Sequence, residues 1–258
     1  MEALAINVAA NTNEPGFRGP IYPDGSFTYV PIPESEPTSE PVPTYADLAA
    51  ADFGGPGLPF ALPDDIRDRP VHLDPEFATY PRCERYTYGD EWGTKASRIA
   101  ELSAGDWLYF YATLSTVDPG ASADWIGHEW GAYLIGGFRL ASDPVTADYE
   151  DLPADERTVF GNNAHVKRQV VDARVLVHGE PGRSRLFDRA VPLSSPDAGA
   201  DSNDLVDASS DSGRGPWWRR PLPFEGEAAE QLVSVVDHVA RSDGFDADPE
   251  DGIADTDE

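Results

Sequence analysis

The stretch DWLYFYATLS, residues 106–115, constrains the fold more than any other part of the chain. It is aromatic and apolar enough to be a central strand. A second run, GAYLIGGFRLAS (131–142), reads as another strand, with Gly136-Gly137 marking a bulge or a close backbone approach. ALAINVAAN (3–11) reads as a buried first strand, and RVLVHG (174–179) with RLFDRAVPL (185–193) as a strand pair across EPGRS. Helical signals are fewer. Thr44 caps a short helix in TYADLAA, KASRIAEL (95–102) ends at Ala104-Gly105, and AEQLVSVVDHVAR (229–241) places Leu232, Val235, Val236 and Val239 at helical spacing. Between them run Pro- and Gly-rich connections: a loop to Gly19, a hairpin turn at Pro23-Asp24-Gly25, EPTSEPVP, and residues 53–71. Strands outnumber helices, regular strand–helix alternation is missing, and no Gly-rich phosphate loop follows the first strand. The expected fold is therefore α+β: a mixed or barrel-like sheet with a few flanking helices and long loops. The expected organisation is one domain over 1–225, a C-terminal packing helix over 226–241 and a disordered acidic tail over 242–258. The Asp-, Ser- and Gly-rich 196–215 reads as a solvated loop or disordered insertion.

A length of 258 residues is enough to bury a real core. The net charge is −28, and Lys95 and Lys167 are the only lysines. Such an acidic, lysine-poor surface fits a protein that lives in molar salt, where the Debye length is about 3 Å and self-repulsion is screened. The charge then reports habitat more than partner. Cys83 is the only cysteine, which leaves no disulfide framework and no cysteine zinc cluster. Its two neighbouring arginines favour a thiolate, but Glu84 opposes them. No run approaches 18 apolar residues, and the N-terminus lacks a secretory pattern, so a cytoplasmic protein without membrane contact is expected.

Several residues carry chemistry. His72 in RPVHLDPEF stands two residues before Asp74, so both side chains lie on one side of an extended strand. A carboxylate beside an imidazole fixes its tautomer and raises its pKa, as a general base or a binding histidine requires. The plainer alternative is a loop histidine beside an Asp-Pro turn. His165 follows Asn162-Asn163, and two amides beside an imidazole suit the edge of a base or a carboxyl group; a polar turn is again the plainer account. Two histidines and a carboxylate are also a known metal shell. No i,i+4 histidine pair supports it, so no metal is expected, and no particular cofactor is indicated. His128, His178 and His238 carry less. From 165 to 189 there are six basic residues (Lys167, Arg168, Arg174, Arg183, Arg185, Arg189) against three acidic ones. RGPWWRRPLPF (214–224) adds three arginines and two tryptophans with no acid. Arg and Trp together suit phosphate contact and base stacking, or else Trp217 and Trp218 are half-buried anchors. Nucleophile-elbow, zinc-protease and Walker patterns are absent from the sequence.

In order along the chain, GPIYPDGSFTYVPIPE, TYADL, VHLDPEF, GTKASRIAELSAGDWLYFYATLS, AYLIGGFRL, NNAHV and WWRRPLPF resemble the nucleotide modification associated domain family, third type, over roughly residues 3–225. The resemblance implies association with systems that modify nucleotides in DNA. LSAGDWLYFYATLS followed by WGAYLIGGFRL also looks like the core of PUA-like base-reading domains, an analogy of fold alone. The hairpin at 17–33 then frames a site, with Arg18 and Asp24 as candidates to face the ligand. The leading reading is a protein that binds a nucleotide or a base in nucleic acid. His72, Asp74, Asn163 and His165 form its polar pocket; Arg183, Arg185 and Trp217 contact phosphate and base. Two alternatives stand beside it: an enzyme using His72 as general base oriented by Asp74, and a structural or interaction module without chemistry.

Overall fold

The computed structural model describes residues 1–50, 61–207 and 216–239. The aromatic stretch forms β4 (Trp107–Thr116), and Trp107 through Leu114 are buried. It occupies the middle of the main sheet. On one side it pairs antiparallel with β5 (Trp130–Arg139), from Trp107 opposite Arg139 to Ser115 opposite Trp130. On its other side lie β1 (Ala3–Asn7) and β2 (Gly19–Ile21), both parallel to it and placed end to end along the same edge. β7 (Arg185–Pro192) adds to β5, and β8 (Leu222–Phe224) adds antiparallel to β1, giving the order β7-β5-β4-β1-β8. The sheet is thus mixed, as expected, but it is open and not a barrel. β7 and the short β8 end it on opposite sides, so no end-to-end pairing closes it.

Side chains alternate across β4 and are covered on both faces. Leu108 and Phe110 point into a core with Ile6, Phe77, Phe138 and Ile99 of α2 (Thr94–Ile99). Trp107, Tyr109 and Tyr111 point into a second core with Leu134, Val191 and the inner face of α5 (Glu227–Val239), where Leu232 and Val236 are buried. That double cover explains a strand without polar alternation. Burial of each large side chain contributes about 1.5–3 kcal/mol. The Gly136-Gly137 pair does what its sequence suggests. The β5–β7 register shifts between Leu134 and Gly136, and a Cβ on Gly137 would lie 2.5 Å from the Tyr109 ring.

A separate two-stranded ribbon pairs β3 (Thr87–Asp90) with β6 (Val175–His178). The expected pairing of 174–179 with 185–193 therefore does not form. Glu180 N–H donates to Arg139 O at the end of β5, and the chain crosses there from the ribbon to the main sheet. The helix at Thr44 forms as α1 (Tyr45–Ala49), closed by a reciprocal Thr44–Asp47 capping box. α3 (Ala154–Phe160) follows the main β4–β5 hairpin. The expected loop at 196–215 is ordered in its first half: Ser194 bridges Ser202, and α4 (Asp204–Asp207) buries Val206. Asn203 accepts the Leu205 and Val206 N–H groups, a cap that stabilises a short helix in a polar sequence. Residues 208–215 and the acidic tail lie outside the described residues. Among the described residues, no helix is long and apolar enough to cross a membrane.

Candidate functional site

β1 ends at Asn7 and β2 resumes the same lane only at Gly19. The chain between them leaves the sheet, with Ala9 at φ 72°, and forms one wall of a cleft of about 370 Å³. The other walls come from outside the main sheet: the Ile32–Ser35 segment, His72 and Asp74, the end of β3 with Trp92, Lys95 in α2, and His165 with Arg168.

His72 is set by a short antiparallel pairing. Its N–H donates to Ile32 O (2.9 Å), and Glu34 N–H donates to Pro70 O (3.0 Å). Glu34 and His72 therefore lie diagonally on one face, and His72 Nδ1 meets Glu34 Oε2 at 2.6 Å. Asp74, two residues on, accepts Gly89 N–H on Oδ2 (2.9 Å) and Asn163 Nδ2 on Oδ1 (3.0 Å). The turn after α3 is closed by Asn163 itself, whose Oδ1 accepts His165 N–H (3.0 Å). His165 Nδ1 meets Asp172 Oδ1 at 2.8 Å. Arg168 joins the two carboxylates that hold the histidines. It contacts Glu34 Oε1 through Nε (3.1 Å) and NH2 (3.0 Å), and Asp172 through NH1. Gly89 is required for close approach: a Cβ there would lie 3.0 Å from both Asn163 Oδ1 and the His165 ring.

The result is a buried polar floor. His165 Nε2 is 3.5 Å and His72 Nε2 4.0 Å from Asp74 Oδ2. The imidazoles meet edge to face, with ring centroids 4.8 Å apart. Burial resists ionisation of Glu34, but its contacts with His72, the Glu36 N–H and Arg168 together outweigh that and hold it at about 2. Burial pushes Asp74 well up, against the Gly89 N–H. Burial and the neighbouring His72 hold His165 at about 4, against its Asp172 hydrogen bond. At neutral pH His165 is thus a neutral imidazole.

The structure brings His72, Asp74, Asn163 and His165 together, although Asn163 lies 89 positions after Asp74 in the sequence. The orientation of His72 differs from the sequence expectation. Asp74 is already engaged by Gly89 and Asn163, and the carboxylate on Nδ1 is Glu34. The remaining candidates lie elsewhere. Arg18 stacks over Trp130 (4.3 Å) in an adjoining hollow that shares Asn7 and Asn11 with the cleft. Asp24 accepts both the N–H and the hydroxyl of Ser26, which its turn position explains. Arg183 is exposed in the turn after β6, and Arg185 lies over Phe187 (5.5 Å). Trp217 is half-buried against the second core and donates Nε1–H to Ala200 O (2.8 Å). Sequence reasoning missed Glu34, Asp172 as an orienting group, and Trp92. Trp92 is 72 % exposed at the cleft, between Glu91 and Gly93 where β3 gives way to α2. A large aromatic at a polar strand-to-helix junction was the available signal. Burial pushes the Cys83 thiol far up, which disfavours the reactive thiolate.

A family model described as nucleotide modification associated domain 3 matches residues 2–234. No curated protein and no solved structure matches the chain.

Proposed function

The chain belongs to the nucleotide modification associated domain 3 family, and from that premise we propose that its cleft binds a nucleotide or a base within nucleic acid. The observation that carries this reading is Trp92, exposed at the rim of a cleft whose floor is the buried His72–Asp74–His165 set. An aromatic rim over a polar floor suits a base, which offers a π-face for stacking and an edge of donors and acceptors. The volume, about 370 Å³, lies within the range of roughly 300–1,000 Å³ common for small-molecule sites. Lys95 lines the same cleft, although Asp90 holds it at 2.8 Å.

A second reading, acid–base chemistry on the bound base, is favoured by the Glu34–His72 pair. Glu34 fixes the proton on Nδ1 and leaves Nε2 of this cleft-lining histidine as an acceptor, the tautomer of a general base. Titration of nucleotides and short oligonucleotides in molar KCl tests both readings. Binding by the wild type that is lost in His165→Ala and Trp92→Ala is expected; turnover that is lost in His72→Ala adds the second reading. An absence of wild-type binding to every such ligand overturns the proposal and favours a module without chemistry.

A further inference from the structure

We propose that His72, Asp74 and His165 bind one divalent transition-metal ion through the two imidazole Nε2 atoms and a carboxylate oxygen of Asp74, with its remaining coordination positions open to the cleft. The inference does not depend on what the cleft binds, but it excludes His72 as general base, because the ion takes the same Nε2 lone pair.

The tautomers come first. Each Nδ1 lies against a carboxylate oxygen, at 2.6 Å from Glu34 and 2.8 Å from Asp172. Arg168 also approaches both Nδ1 atoms, but at 3.5 and 3.3 Å. The shorter carboxylate contacts decide: each Nδ1 carries the proton and donates it. Both Nε2 lone pairs are then left facing Asp74 Oδ2, itself an acceptor from Gly89. Among the described residues neither Nε2 has a hydrogen-bond donor, although the two imidazole side chains are only 5 % and 8 % exposed. Three acceptors thus converge on one point.

Distance favours a metal there. The three ligand atoms lie within 4.8 Å of one another, with nitrogen-to-oxygen separations of 3.5 and 4.0 Å. Ligands at about 2.0–2.2 Å around a tetrahedral ion are about 3.4 Å apart, so a small inward movement completes the shell. A shared proton is the competing occupant, but 3.5 Å is too long for an O–H···N bond. The surroundings match as well. Metal-bound histidines donate their other nitrogen to a carboxylate, and Glu34 and Asp172 already accept those protons. Nitrogen and carboxylate donors select a first-row transition metal over magnesium. A second cluster, Glu91, His165 and Asp172, already has the Arg168 guanidinium in contact with both of its carboxylates.

The test uses the full chain, stripped with a chelator and titrated calorimetrically in molar KCl with Zn²⁺, Mn²⁺ and Mg²⁺ separately, without nucleotide. One equivalent of Zn²⁺ or Mn²⁺ is expected, with Mg²⁺ far weaker. Asp74→Ala and His165→Ala should abolish binding, and Glu34→Gln should weaken it by about 10- to 100-fold while keeping the stoichiometry. Wild-type protein loaded with Co²⁺ covers the case of a misfolded variant: nitrogen–oxygen coordination gives visible d–d bands. Absence of transition-metal binding by the wild type, or stoichiometric binding by a folded Asp74→Ala protein, overturns the inference. Nucleotide binding without metal leaves the proposed function standing alone, and metal binding without nucleotide affinity does the reverse.

Discussion

Two adjacent asparagines make a sharp test of how the site is held. Asn163 is wholly buried and serves three partners: it donates to Asp74 Oδ1 (3.0 Å) and Thr87 Oγ1 (3.4 Å) and accepts His165 N–H (3.0 Å). Asn163→Ala leaves a buried backbone N–H and a buried carboxylate oxygen without that partner. Each such orphan costs about 1–3 kcal/mol, so the sum is about 2–6 kcal/mol. At about 2–4 °C per kcal/mol for a domain of this size, a midpoint near 4 kcal/mol lowers Tm by about 8–16 °C. Asn162 bonds the buried Glu76 and Arg82 O, but it is only half-buried. Glu76 keeps the Glu84 and Arg85 N–H groups and the Thr87 hydroxyl as donors, so Asn162→Ala should cost under about 1 kcal/mol. Thermal unfolding followed by circular dichroism in molar KCl measures both. Equal Tm values for the two variants would refute the argument that Asn163 organises the floor of the cleft.

Trp92→Ala should leave Tm unchanged, because the ring is exposed, and weaken nucleotide binding by about 1–3 kcal/mol as seen by fluorescence titration. Arg183→Ala should bind as wild type in the same titration, since its side chain is exposed away from the cleft lining. The −28 charge predicts that Tm rises from about 0.1 M to about 1 M KCl, as the Debye length falls from about 10 to about 3 Å; a flat profile would sink the high-salt reading. Cys83, its thiol pushed far up by burial, should react with iodoacetamide slowly in the folded protein and rapidly in denaturant, measured by mass.

What the sequence made legible is what local rules decide. β4, β5, α1 and α5 follow from apolar runs, a capping box and helical spacing. The proximity of His72 to Asp74 follows from their spacing of two residues, although a turn bond from Asp74 N–H to His72 O, not a strand, holds it; the His165 turn follows from an asparagine that bonds two residues ahead. What escaped depends on long-range pairing. Glu34 reaches His72 only because 32–34 pairs with 70–72, across 38 residues of chain. The strand at 174–179 looked like half of a hairpin, yet its partner is β3, far upstream. Composition does not say where Arg185 and Trp217 sit: both have the chemistry of nucleic-acid contact, and in the structure they pack on Phe187 and on the second core, outside the cleft lining.

The placement of the polar groups separates scaffold from site. Glu34, His72, Asp74, Asn163, His165 and Arg168 are all buried, and none belongs to the six-stranded sheet. The sheet contributes only the wall that leaves it at the gap between β1 and β2. Such a cluster is a poor source of stability, because desolvating charges offsets most of what their pairing returns, and apolar residues of similar volume are often as good or better. A chain selected for stability alone would extend the aromatic core through this region. Instead, two orienting carboxylates, one guanidinium and one asparagine hold two imidazoles and a carboxylate in fixed directions at the floor of an open cleft. Groups so placed, with two apolar layers on either side of β4 to stabilise the fold, are the ones the proposed binding reading draws on.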